Sequence, residues 1–295
     1  MMSDFAAFIL THGRPDRVHT YINLRTAGYT GRIYLVIDDE DKTGDEYRKK
    51  YGDEVLTFSK TEIAKTFDEG DNFNDRRTIV YARNACYELA KSVGIKHFIQ
   101  LDDDYIAFGL RHNSKSEYGW VPGNLDAILD VMMEFYLATG CTSIAMSQGG
   151  DHMGGGGGGG NSPNIPTLRR KCMNSFLCTT DKPIGFFGRV NEDVNTYTTL
   201  GRRGSLFFTA NQAQLNQKQT QSNAGGMTEM YLDSGTYVKS FYSVMYSPSC
   251  VKVGEMGDPR VPQNYRLHHA INWNATAPKI IREEYRKTKR STEVN

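Results

Sequence analysis

The chain has 295 residues, 39% hydrophobic and 23% charged, a balance that suits a globular protein with a substantial core and excludes a disordered or fibrous one. Its 35 Lys and Arg against 34 Asp and Glu leave a formal net charge of +1, so no global pull toward a polyanion is built in. Five scattered cysteines, Cys86, Cys141, Cys172, Cys178 and Cys250, contain no CxxC pair, which speaks against a zinc site or disulfide framework and for a reducing compartment.

Residues 5–10 read as a fully buried strand, closed by the turn-prone His12-Gly13-Arg14-Pro15. Residues 16–27 suit a helix with Val18, Ile22 and Leu24 as its apolar stripe, and 32–37 form a second buried strand that ends in Asp38-Asp39-Glu40-Asp41. A short helix is expected over 47–51 and a third strand over 55–58. Asp75 is placed to cap a helix running to about Val93, with Ile79, Val80, Cys86, Leu89 and Ala90 mostly on one side. Residues 96–101 give a fourth strand, ending in Asp102-Asp103-Asp104.

This alternation predicts an α/β fold, a doubly wound and mostly parallel sheet flanked by helices. Ligands bind outside the carboxyl ends of such strands. The clusters at His12, Asp38 and Asp102 all fall there, so three polar groups point to one edge.

Further on, Leu125, Ile128, Leu129, Met132, Met133 and Tyr136 have helical spacing over 125–137, and 142–146 suit a strand. Residues 148–164 hold seven consecutive glycines, 154–160, and read as a flexible linker, with a lid or acceptor-contacting loop as the alternative. No GK[ST] follows, so this is not a P-loop. Strand-like pieces are expected at 206–209, 237–242 and 250–253, whereas the Gln- and Asn-rich 211–223 fits either a strand or a loop. The expected division is a nucleotide-binding half over 1–147, the loop, and a mixed α+β acceptor half of the same domain over 165–295. The basic end (Arg282, Arg286, Lys287, Lys289, Arg290) reads as a solvated helix terminus. No stretch reaches the roughly 18 apolar residues of a membrane span, and no leader-like segment is visible, so a cytoplasmic protein is expected.

Three aspartates closing a buried strand repel one another unless a counter-charge is present. Mg²⁺ or Mn²⁺ would answer that need, taking carboxylate and phosphate oxygens together. On an extended chain the i, i+2 spacing puts Asp102 and Asp104 on one side, leaving Asp103 apart. A solvated acidic turn is the simpler alternative.

The series His12-Gly13-Arg14-Pro15, Asp38-Asp39, Tyr81-Ala-Arg-Asn84 and Phe98-Ile-Gln-Leu-Asp-Asp-Asp104 resembles the nucleotide-sugar half of GT-A glycosyltransferases, which carry a DxD motif. Gly188-Arg-Val-Asn-Glu-Asp193 resembles the acidic element that follows DxD in many of them. Residues 217–221, 225–228, 237–242 and 267–274 resemble, more narrowly, the phage TET-associated glycosyltransferases, understood to add sugars to hydroxymethylated pyrimidines in phage DNA.

The resemblance implies a role for each matching residue. His12, Gly13 and Arg14 would line the nucleotide, with Asp38 or Asp39 near uracil or ribose. Arg83 would approach the nucleotide or its diphosphate; its structural alternative is an ion pair with Glu88 or a carboxylate elsewhere on the helix. Asp102 and Asp104 would form the DxD, Asp104 being the more direct metal ligand. Asp193, with Glu192 beside it, would face the acceptor hydroxyl, unless the pair merely favours a helix start. His268 or His269 would complete the metal or diphosphate site. The implied reaction is metal-dependent transfer, with Mn or Mg, from a UDP-sugar to 5-hydroxymethylcytosine, with inversion and retention both open. DNA contacts would come from Arg169-Arg170-Lys171, Arg202-Arg203 and the basic end, and Trp120, Tyr242 or Trp273 either stack on a flipped base or pack as core. A protein or glycan acceptor, or a non-catalytic nucleotide- or DNA-binding protein, is the competing reading.

Overall fold

The computed structural model describes residues 3–73, 75–111, 118–120, 124–148, 166–173, 175–217, 227–257, 260 and 265–280. The predicted glycine run, the stretches 218–221 and 225–226, and the basic C-terminal residues lie outside them.

Strands β1 (Phe5–Leu10), β2 (Arg32–Asp38), β3 (Val55–Phe58) and β4 (His97–Asp102) run parallel in the order β3-β2-β1-β4, and β8 (Ser175–Thr179) closes the sheet antiparallel to β4. Strand β1 is buried along its whole length because both faces are covered. Its odd residues Phe5, Ala7 and Ile9 feed one core, and its even residues Ala6, Phe8 and Leu10 feed the other. That is the two-residue period of a strand between two layers.

Helices α1 (His19–Thr26), α2 (Gly44–Tyr51), α3 (Lys60–Ala64) and α4 (Val80–Ser92) alternate with these strands. Helix α4 turns Val80, Tyr81, Ala85, Cys86, Tyr87 and Ala90 onto the second core. All five cysteines are buried and free.

A second sheet, in the order β6-β5-β9-β7, combines β5 (Tyr105–Arg111), β6 (Tyr118–Trp120), β7 (Ser143–Gln148) and β9 (Phe207–Gln217), with α5 (Leu125–Thr139) contributing Leu125, Leu129, Met132, Met133 and Tyr136 to the first core. Strands β8 and β9 therefore complete sheets begun by the first half of the chain. The remaining elements are α6 (Glu192–Arg202), α7 (Met227–Tyr246), the hairpin β10 (Val251–Met256) and β11 (Arg266–Ile271), and α8 (Trp273–Thr276).

Several expectations are corrected. Residues 237–242 are helical, within α7: Ser240, Tyr242 and Ser243 are buried while Tyr237 and Phe241 face out. A short aromatic and β-branched run carries no period of its own that separates strand from helix. Asp75 does not cap α4, which starts at Val80 after Ile79; its carboxylate binds Arg77 and approaches Arg189 instead. Helix α1 begins at His19, not residue 16. The polar stretch from 211 is strand as far as Gln217.

Candidate active site

The loop after β1 is fastened to the loop after β2. His12 Nδ1 donates to Asp38 Oδ2 at 2.7 Å, and the Gly13 amide donates to Asp41 Oδ2 at 2.7 Å. Gly13 has φ +68°, a conformation that glycine adopts without penalty. The Arg14 amide donates to the Tyr47 hydroxyl at 3.0 Å. Asp38 is buried and also receives Lys60 Nζ at 3.0 Å, while exposed Asp39 accepts the Lys60 backbone N–H at 2.9 Å. Burial alone would raise the Asp38 carboxyl, but His12 and Lys60 hold it below the usual aspartate range. The same hydrogen bond to Asp38 raises the pKa of His12 despite partial burial. Asp41, Tyr47 and Lys60 were not read from the sequence as site residues. Asp41 at least belonged to the acidic run closing β2.

The aspartate triplet is not extended throughout. Strand β4 ends at Asp102, and Asp103-Asp104 form the turn into β5, so the alternation argument for Asp102 and Asp104 does not describe their placement. Asp102 accepts from Arg83 Nη2 at 3.1 Å. Asp103 is buried between Thr11 Oγ1 at 2.7 Å and Arg14 Nε at 3.2 Å, and so it ties the triplet to the β1 loop. Asp104 Oδ2 accepts from Gln217 Nε2 at 3.1 Å, and its Oδ1 is buried without a hydrogen-bond partner among the described residues. Burial, opposed by Arg83 and reinforced by Asp104, Glu192 and Asp103, pushes the Asp102 carboxyl up to about 7. Burial raises Asp103 and Asp104 as well. The orphaned Asp104 oxygen is the kind of hard acceptor that a divalent cation takes, and Asp104 and Asp102 would be the residues to hold one.

Arg83 is 1% exposed and donates through Nε to Glu192 Oε1 at 2.9 Å, in addition to Asp102. It lies over the rings of Phe176 and Phe186, at 5.2 and 5.9 Å. Its partner is not Glu88, which pairs with Lys91. The ion pair brings the start of α6 to the end of β4. Burial raises the Glu192 carboxyl, with Arg83 opposing. Asp193, in the first turn of α6, accepts the Val194 N–H through Oδ1 at 2.7 Å.

Immediately before them stands Asn191, with φ 61°, the one non-glycine residue with positive φ among those described. Its Nδ2 reaches Ser243 Oγ on α7 at 2.6 Å and His269 Nδ1 on β11 at 3.3 Å. The His268 and His269 rings lie 4.0 Å apart. Burial, helped by Lys171 and Lys239, lowers His268 to about 4 and His269 to about 2, so both are neutral at pH 7. Burial also lowers Lys239, against the pull of Asp193. Among the described residues no three His, Cys, Asp or Glu side chains are grouped to hold a metal by themselves.

Tyr242 is buried against Val190, and Trp273 stacks on Tyr197 at 6.0 Å. Both pack as core.

A family model described as TET-Associated Glycosyltransferase matches residues 5–226. The chain belongs to the TET-associated glycosyltransferase family. The matched span holds all three strand-end clusters together with Glu192 and Asp193, while His268 and His269 fall beyond it. Similar solved structures include Staphylococcus aureus TarS 1–349, with TM-score 0.40 and 9% identity over 82% of this chain and 65% of that one. Another is glucosyl-3-phosphoglycerate synthase from Mycobacterium tuberculosis in complex with Mn²⁺, UDP and phosphoglyceric acid, with TM-score 0.45 and 10% identity over 90% of this chain and 86% of that one. This chain thus spans less than two thirds of the TarS fragment, and 36% of the longer TarS structure. No curated protein sequence matches it. No helix among the described residues is long and apolar enough to cross a membrane.

Proposed function

We propose that this glycosyltransferase moves a sugar from a nucleotide diphosphate, a UDP-sugar first of all, onto the hydroxymethyl group of 5-hydroxymethylcytosine in phage DNA. Asp102 and Asp104 would hold the divalent Mn²⁺ or Mg²⁺. The observation that carries this reading is the bridge from Asp102 through Arg83 to Glu192. It joins the strand-end carboxylates, suited to a cation and a diphosphate, to the helix turn that carries Asp193.

In this reading the acceptor oxygen attacks the anomeric carbon, the bond from that carbon to the diphosphate oxygen breaks, and the nucleoside diphosphate departs with the electron pair. Asp193 accepts the proton of the attacking hydroxyl. The bound cation supplies charge neutralisation on the diphosphate. His12, Gly13 and Arg14 line the nucleotide, held in place by Asp38, Asp41, Tyr47 and Asp103. Exposed Asp39 accepts from the ribose or uracil. Arg83, being enclosed, positions the two carboxylates rather than reaching the diphosphate itself.

The acceptor is supported by the family, whose description ties it to TET enzymes. Hydroxymethylated and unmodified DNA, each incubated with several nucleotide sugars and Mn²⁺, distinguish it by nucleoside mass spectrometry. A hexose- or pentose-bearing nucleoside from hydroxymethylated DNA alone is expected. Inactivity on both, with active hydrolysis of the donor, would move the acceptor to a protein or glycan.

A further inference from the structure

The Nδ2 of Asn195, in α6, donates to two backbone carbonyls, those of Val190 at 2.9 Å and Phe187 at 3.2 Å. A carbonyl only accepts, so this amide has one orientation and its Oδ1 is an acceptor. Ser243 Oγ lies 2.8 Å from that oxygen and donates its single proton there. The Ser243 oxygen is then an acceptor for Asn191 Nδ2 at 2.6 Å, which orients the second amide. The other proton of that amide meets His269 Nδ1 at 3.3 Å. Nδ1 is therefore the bare nitrogen, and the proton of the neutral ring sits on Nε2.

A metal ligand needs a lone pair on the nitrogen that faces the metal. His269 has its lone pair committed to Asn191. The ring is only 5% exposed, and its Nε2 has no hydrogen-bond partner among the described residues. A buried N–H without an acceptor is costly, so a ligand oxygen would be bound strongly there. The charges acting on the ring are those of Lys171 and Lys239, which repel a cation and attract an anion.

We infer that His269 donates its Nε2–H to a phosphate oxygen of the nucleoside diphosphate and is not a metal ligand. This rests on the nucleotide-sugar reading given above and departs from a metal role for this residue. Asn191, Ser243 and Asn195 are positioning residues: their chain of hydrogen bonds keeps the proton on Nε2, the ring nitrogen not engaged by Asn191. The left-handed backbone at Asn191, which asparagine tolerates better than most residues, is what lets one amide touch both Ser243 and His269.

The full chain, labelled with ¹⁵N-histidine, reports the tautomer through long-range proton–nitrogen correlations. Nε2–H is expected for His269; Nδ1–H would overturn the inference. Calorimetry with inorganic pyrophosphate and with UDP, both in EDTA, reads the contact without metal. His269→Ala is expected to weaken both about ten-fold, and His269→Gln, which retains an N–H donor, to recover most of the loss. A loss seen only with Mn²⁺ and absent in EDTA would make His269 a metal ligand. Weakened binding of a DNA duplex, with pyrophosphate affinity unchanged, would assign the phosphate to the acceptor and overturn the donor assignment. If the tautomer and pyrophosphate results hold while hydroxymethylated DNA is not glycosylated, the acceptor reading fails and this one stands.

Discussion

Nε of Arg83 lies 2.9 Å from Oε1 of Glu192, 109 residues further along the chain, while Nη2 of the same guanidinium lies 3.1 Å from Asp102 Oδ1. One buried cation thus fixes the spacing between the end of β4 and the start of α6, the two places where the donor and acceptor chemistry is proposed.

Removing that cation leaves two buried carboxylates facing each other. Arg83→Met is expected to destabilise the fold by about 3–5 kcal/mol in urea unfolding. Arg83→Lys should recover only part of this, because an ammonium lacks the planar fork that reaches both partners. A change below about 0.5 kcal/mol for Arg83→Met would show that the bridge contributes little to the fold.

Asp104→Asn keeps a side chain able to meet Gln217 but removes the charge beside the orphaned oxygen. UDP affinity measured with Mn²⁺ should fall by more than the roughly 10–100-fold typical of losing an outer partner of a metal site. In EDTA the variant and the wild-type protein should bind UDP alike. Equal affinities in Mn²⁺ would remove Asp104 from the metal site.

The Asp102 carboxyl sits at about 7 in the folded protein, against an ordinary value of 3.8. Below about 3.8 both the folded and the unfolded chain hold the proton. Between the two values only the folded chain does, so this group's contribution to stability is lost as pH rises toward 7. In the metal-free protein, Asp102→Asn should flatten that fall. Mn²⁺ should raise the melting temperature more above pH 7 than near pH 5, since it needs the ionised carboxylate. Thermal scans across that range check both, and a wild-type slope in the variant would contradict the assignment.

Asp193→Asn retains an oxygen for the Val194 N–H but loses the base. Turnover should drop about 10²–10⁴-fold, with UDP affinity within about two-fold of wild type. Steady-state kinetics and calorimetry on the same preparation separate the two effects; a fall in affinity alone would make Asp193 a binding residue.

Strands β1 to β4 were legible because buried parallel strands are continuous apolar runs, such as Phe5 to Leu10, stopped by His12 or by aspartates. The three strand-end clusters followed from that alternation. What escaped depended on contacts distant in sequence. From the sequence Arg83 has Glu88, five residues on in the same helix, as an apparent partner, and only the fold brings Glu192 to it. Lys60 follows a strand with nothing nearby to mark it as the partner of Asp38. Residues 237–242 carry tyrosine, valine and phenylalanine, which favour strands locally, while the burial of Ser240 and Ser243 on the inner face of α7 is set by packing. Asn191 was within the matched acidic motif, yet its positive φ and its role in orienting His269 depend on α6, α7 and β11 together.

The central claim, that the cluster linked by Arg83 is where sugar is transferred, is tested most directly by one comparison. Wild-type protein, Asp104→Asn and Asp193→Asn are each incubated with UDP-sugars, Mn²⁺ and hydroxymethylated DNA, and the released nucleosides are weighed by mass spectrometry. A glycosylated 5-hydroxymethylcytosine nucleoside with the wild-type protein, and only traces with either variant, is the result predicted here. Wild-type yields from both variants would contradict it and place the transfer site elsewhere in the chain.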